Sequence, residues 1–331
     1  MKKHQAKILI CASLSLLGSL PCIPAQAAET AYGLVQQWPL GKASKWDYLD
    51  IDPVRNRLFL SRSDHVQVLD LATGKPVGDI ANTAGVHGVA FAQDLKIGFT
   101  SNGRADSVTV FDLDSLAVKQ EIKVSGHNPD ALLYEPASHK LFAFNGKSAN
   151  VTVIDAQTLQ VVATIASTGR PEFAVSDNAG KVYFNVEDKG ELHVIDVASN
   201  QLVAKWPLKH CEEPTGLAMD VAHSRLFSVC HNKTMVVTDA KTGKQVSRVA
   251  IGEHPDAVIY DSETASIFSS NGDGGGSLTV ISQKDADHYA VVENVKTAQG
   301  AKTMAMDMKT RRIYLPAILN DQFTVMTFAK K

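Results

Sequence analysis

Six ionisable side chains open successive short apolar segments: Asp47, His87, Asp130, Glu172, Asp256 and Lys302, with Thr215 in the seventh such place. Neighbouring stretches add His127, Arg170, Cys211, Glu212, Glu213 and His254, and nearby turns add Asn102, Arg104, Asn145, Lys147, His231 and Asn271. If the fold brings these groups together, three chemistries are open. Imidazoles and carboxylates hold a divalent metal, and His87, His127, Glu213, His231 and His254 with Asp130 or Asp256 are the available ligands. A hydrolase or lactonase needs a general base and a cation facing a developing oxyanion, for which His127, Glu213, Arg170 and Lys302 are suitable types. Recognition of a small polar molecule or a protein partner needs only the same donors and acceptors. Recognition is the reading we favour, with Asp47, His87, Asp130, Glu172, Asp256, Lys302, His231 and His254 as contacts. The compact signatures of dedicated enzymes, His-Glu-x-x-His and Gly-x-Ser-x-Gly, do not occur in the sequence.

The elements that must position these residues come from an internal repeat. An apolar-x-Val-x-Asp pattern ends at Asp70, Asp112, Asp155, Asp196 and Asp239, with degenerate copies ending at Ser282 and Thr327. The intervals are 42, 43, 41, 43, 43 and 45 residues. Each unit holds four short segments of strand character, such as Phe173-Ala174-Val175, Lys181 to Asn185, Glu191 to Asp196 and Leu202 to Trp206, separated by turn sequences. Four strands per unit of this length predict a β-propeller blade, and seven units predict a seven-bladed, all-β ring of antiparallel blades. The seventh unit runs out after Thr327, too early for an outer strand, whereas Leu34 to Leu40 matches the outer strand Leu202 to Leu208. The N-terminal segment is therefore expected to complete the last blade and close the ring.

In a propeller the residue opening each inner strand lies at one mouth of the central channel. The six ionisable residues and Thr215 are thus predicted to form one ring, with the listed connections and turns around it. Opposite-face turns such as Asp52 to Asn56 and Asp261 to Thr264 read as ordinary polar hairpins. Trp38 and Trp206 fall on outer strands and are expected to pack between blades, leaving Trp46 as the tryptophan placed to touch a ligand. Asn271 to Gly276 reads as a long turn, because neither phosphate-loop context nor complete calcium-loop spacing accompanies it.

Blade 3 ends Val161 to Pro171, with Ser167-Thr168-Gly169-Arg170-Pro171, and blade 5 ends Val249 to Asp256, with Gly252-Glu253-His254-Pro255-Asp256. Together with the Val-x-Val-Ile-Asp strands, these segments resemble the YVTN, or YncE-like, seven-bladed β-propeller family. The resemblance covers nearly all of the chain after its first 27 residues. The family's Tyr-Val-Thr-Asn strand becomes Phe99-Thr100-Ser101-Asn102, Phe142-Ala143-Phe144-Asn145 or Phe268-Ser269-Ser270-Asn271 here. The resemblance implies an exported binding scaffold rather than a particular reaction.

The first residues read as an address. Lys2, Lys3 and Lys7 precede an apolar run from Ile8 to Leu20, and Ala25-Gln26-Ala27 has the form of a signal-peptidase site. Residues 1–27 are expected to be removed, leaving 28–331 as one propeller domain in the periplasm with no membrane span. The chain carries 33 Lys+Arg against 35 Asp+Glu, and cleavage would make the balance more acidic. That argues against a dedicated nucleic-acid binder. Cys211 and Cys230 would then be the remaining cysteines. An oxidising compartment favours a disulfide between them, and the alternative is a soft-metal site with His210 and His231. A closed ring offers no strand edge for pairing, so a monomer is expected.

Overall fold

The computed structural model describes residues 31–331; the expected signal peptide and its cleavage site lie outside these residues. The chain forms seven four-stranded antiparallel sheets arranged as blades around a channel, so the predicted architecture is correct. The innermost strands of blades 1 to 7 are Leu49–Asp52, Val86–Ala92, Pro129–Glu135, Pro171–Ser176, Pro214–Asp220, Pro255–Asp261 and Ala305–Asp307. Blades 1 to 6 are each built from consecutive strands. In blade 7 the outer position is taken by Tyr32–Lys42, antiparallel to Gln322–Lys330, with Trp38 opposite Val325. The first and last described strands thus meet in one sheet.

The repeat's aspartates have a local task. Asp70, Asp112, Asp155, Asp196 and Asp239 each accept the backbone N–H of the residue three positions on, at 2.8–2.9 Å. This cap fastens the turn between the third and outer strands. The alternating apolar residues before each aspartate are buried between neighbouring blades, as with Val66 and Val68, Val108 and Val110, and Val151 and Val153.

Blades pack face against face, so each apolar cluster is shared by two neighbours. The cluster joining blades 7 and 1 contains Trp38, Leu49, Leu58, Leu69, Tyr314 and Phe323. Trp38 also lies on Gly74 of blade 1, where a Cβ would come within 2.2 Å of the indole, and Trp206 lies on Gly243 of blade 5 in the same way. Both glycines have positive φ, +70° and +71°, so two constraints select glycine there. The match between Leu34–Leu40 and Leu202–Leu208 is therefore a match of packing as well as of strand position. Trp46 instead sits against Phe323, with ring centroids 5.5 Å apart, and lines neither cavity of the channel.

Among the described residues the single helical element is a 3-10 turn, Glu187–Lys189, and no helix is long and apolar enough to cross a membrane. Cys211 and Cys230 are joined by a disulfide, with Cα atoms 5.3 Å apart. The bond ties the connection entering blade 5 to the end of its second strand, and leaves no thiolate for a soft metal.

Candidate functional site at one mouth of the channel

The ring-forming residues are held by backbone bonds from the preceding blade. Ser101 donates its hydroxyl to the Asp130 carbonyl, and Ser270 donates to the Lys302 carbonyl. Asn185 donates to the Thr215 carbonyl at 2.9 Å, and Thr215 donates to the Pro255 carbonyl at 2.8 Å. Thr303 of blade 7 donates to the Asp47 carbonyl at 2.9 Å across the closure of the ring. Four inner strands begin with proline, at 129, 171, 214 and 255, a residue tolerated at a strand's first position because no ladder N–H is lost there. The next residue in each is Asp130, Glu172, Thr215 or Asp256.

These side chains surround a cavity of about 210 Å³ lined by Asp47, Tyr48, Asp130, Arg170, Glu172, Glu187, Thr215, His231, His254, Pro255, Asp256 and Lys302. His87 joins through its Nδ1, 2.6 Å from Asp47 Oδ2 and 3.7 Å from Asp130 Oδ1. Lys302 Nζ lies 2.5 Å from Asp256 Oδ2, and an Arg170 guanidinium nitrogen lies 2.5 Å from Glu187 Oε2. His231 Nδ1 meets Glu213 Oε2 at 2.7 Å. The His231 and His254 rings are stacked with centroids 4.4 Å apart, and His254 Nδ1 is 3.0 Å from Asp273 Oδ2. Tyr48 is also part of the lining, and its ring meets that of Phe173 from blade 4 at 5.4 Å.

Five carboxyls, Asp47, Asp130, Glu172, Glu187 and Asp256, thus face two permanent cations, Arg170 and Lys302, and the imidazoles. Crowding and burial raise several carboxyls above their usual range. Glu172 is pushed up to about 10, first by burial and then by Asp130, Glu187 and Asp256. The neutral, protonated form is therefore favoured beside the Glu187 carboxylate that Arg170 holds. Asp130 is pushed up to about 7 by burial; His87 opposes the rise and Asp47 adds to it. Burial and Asp47 also raise Asp256 despite the lysine beside it. Burial pulls Lys302 and His87 down, but the facing carboxylates outweigh it and both are net raised. Deep in the ring, these groups touch channel water without the full solvation of a free surface.

Two sets of side chains have donor atoms close enough to share a cation: Asp47, His87 and Asp130, and Glu187, Glu213 and His231, each set within 4.8 Å. The four residues suited to hydrolysis are not gathered at one point, and Lys302 is held by Asp256. Arg170 and Glu213 both approach Glu187, whereas His127 is turned to Asp106 at 2.8 Å, is exposed, and does not line the cavity. Asn102, Asn145 and Asn271 do not line it either. They are buried and donate to Ser107 and Thr109, to Asn150 and Thr152, and to Ser277 and Thr279, fastening the hairpin beyond the second strand.

Sequence reasoning passed over Glu187 and Tyr48. Glu187 directly follows the second strand of blade 4, Lys181–Val186, in the kind of turn that contributes His231 in blade 5. Extending the alignment to that turn would have found it. Tyr48 follows Asp47, and nothing in the residue order says that its ring crosses the channel to blade 4.

No protein-family model matches the chain. The uncharacterized protein YncE of Salmonella typhi is 25% identical over 257 residues, covering 73% of this chain and 68% of that protein. Antigen Lp49 of Leptospira interrogans is 26% identical over 136 residues, covering 40% of this chain and 30% of the antigen. Among solved structures, a chain of the mitotic checkpoint complex superposes with a TM-score of 0.78 at 14% identity, covering 96% of this chain and 99% of that one. A chain of Kuenenia stuttgartiensis hydrazine synthase gives 0.75 at 16% identity, covering 93% and 99%. At such identities the structural matches speak for the fold alone.

Proposed function

We propose that this YncE-like seven-bladed propeller is an exported, monomeric, single-domain binding protein that takes a small polar, cation-bearing ligand at the channel mouth formed by Asp47, His87, Asp130, Glu172, Asp256 and Lys302. The carrying observation is the excess of carboxyls over permanent cations in a 210 Å³ cavity. Three of the carboxyls are raised by burial and mutual repulsion, so an added positive charge relieves a cost the folded protein already bears. The cations present are already engaged, Lys302 by Asp256 and Arg170 by Glu187. An anionic ligand would have to compete with those pairs and face the surrounding carboxyls. His231 and His254 at the rim supply further polar contacts. The hydrolytic alternative needs His127 beside Arg170 and Glu213, and its pairing with Asp106 supports recognition over turnover.

The test is isothermal titration with agmatine, arginine, calcium ion and succinate, repeated in two buffers of different ionisation enthalpy. A cationic ligand should bind with proton release near pH 7, because Asp130 titrates at about 7, and should weaken with Asp130→Asn and Asp256→Asn. A preference for succinate, or binding untouched by both variants, overturns the reading. Calcium binding without amine binding would move the ligand class to metal ions. Failure of all four probes, with capture of a protein from the periplasm that both variants abolish, would make the ligand a protein partner.

A further inference from the structure

The other mouth of the channel is chemically unlike the first. A cavity of about 320 Å³ is walled by inner strands of all seven blades, and its lining is apolar apart from backbone groups, two tyrosines and Asp50. Phe173, Met219, Tyr260 and Met308 are among its walls. Tyr48 lines both cavities, and its ring meets that of Phe173. Met308, at 51% exposure, lies at the open lip.

Asp50 is the single charged residue of this lining. Its carboxylate accepts one hydrogen bond, from the Ile51 N–H at 2.8 Å, and among the described residues no lysine, arginine or histidine pairs with it. Asp50 is exposed to the channel, so its carboxylate has channel water on one side but no counter-ion within an otherwise apolar lining, and an ammonium group would supply the missing charge. A neutral apolar molecule would cover it without satisfying it, and an anion would be repelled. Aromatic faces and thioethers, in contrast, accommodate a positive charge on an apolar body.

We propose that this mouth is a second binding site, for a small amphiphilic cation whose ammonium group meets Asp50 and whose aromatic or alkyl body lies against Phe173, Met219 and Tyr260. The occupant is a small molecule rather than a peptide segment, because a cavity of about 320 Å³ is of the size that takes one. A bound ammonium would favour the charged form of the Asp50 carboxyl. The site stands apart from the polar mouth and does not depend on the function proposed for it.

The experiment titrates the full protein with 4-phenylbutylammonium, 4-phenylbutanol and 4-phenylbutyrate, following methionine methyl signals by NMR. Four of the seven methionines line this cavity, so the spectrum reports where the probe sits. The ammonium should bind about 10- to 100-fold more tightly than the alcohol, the anion should bind least, and the Met219 and Met308 methyls should move. Asp50→Asn should reduce the ammonium to the affinity of the alcohol while leaving the alcohol unchanged. Equal affinity for ammonium and alcohol, absence of binding, or unmoved Met219 and Met308 signals overturns the proposal. If Asp50→Asn does not fold, the comparison of probes on the unsubstituted protein decides alone.

Discussion

Replacing Glu172 by glutamine should make the protein more stable at neutral pH, although it alters a buried member of the candidate site. In the folded chain the carboxyl is neutral up to about pH 10, against 4.5 for a free glutamate. Between those values the folded state holds a proton that the unfolded state has released, so stability falls as pH rises through the window. At pH 7 the unfolded chain has gained about 2.5 pH units of ionisation, worth about 3 kcal/mol at 1.36 kcal/mol per unit. Glutamine cannot ionise and keeps the shape of the acid. Urea unfolding of both proteins from pH 4 to pH 8 should give a stability difference near zero at pH 4, widening in favour of the variant by about 1.4 kcal/mol per unit above pH 5. A difference independent of pH, or a variant less stable at pH 7, would refute the claim that Glu172 is protonated in the fold.

Removing the disulfide with Cys211→Ala/Cys230→Ala should cost about 3 kcal/mol by loop-closure entropy, because the bond joins residues 19 apart in sequence. Denaturation of the variant beside the oxidised protein measures it, and an unchanged midpoint would show that the strand pairing of blade 5 already restrains the loop. Trp38→Ala should destabilise by about 3–5 kcal/mol, since the indole is 6% exposed and packs on Tyr314. It should also loosen the ring closure, seen as faster hydrogen exchange in Tyr32–Lys42 than in the other outer strands, whereas uniform exchange would deny the latch its role. Affinity for a cationic ligand at the polar mouth should rise from pH 5 to pH 8, because protons on Asp130 and Asp256 compete with it; a flat profile would place the ligand elsewhere.

The positions of the ring residues were legible because propeller geometry is periodic. Aligning the Val-x-Asp strands assigns every residue a strand and a height in the channel, and the predicted ring of Asp47, His87, Asp130, Glu172, Thr215, Asp256 and Lys302 does converge. The pairings within it were not legible. Asp47 with His87, and Asp256 with Lys302, join neighbouring blades about 40 residues apart, and rotamers choose among several equidistant partners. The buried asparagines show the reverse case. Their place in the turns between second and third strands put them near the mouth, yet Asn102, Asn145 and Asn271 spend their donors within their own hairpins, because a buried amide goes first to the nearest acceptor.

The sequence by itself determined the number of blades, the strand that closes the ring and the mouth at which the ionisable residues gather. These depend on local strand periodicity and turn chemistry, which each repeat carries in full. The tertiary structure decided the raised pKa of Glu172, the contact of Tyr48 with Phe173, and the contrast between a polar and an apolar mouth. Those properties arise from side chains of different blades meeting in a confined, poorly solvated channel, and no single repeat contains that environment.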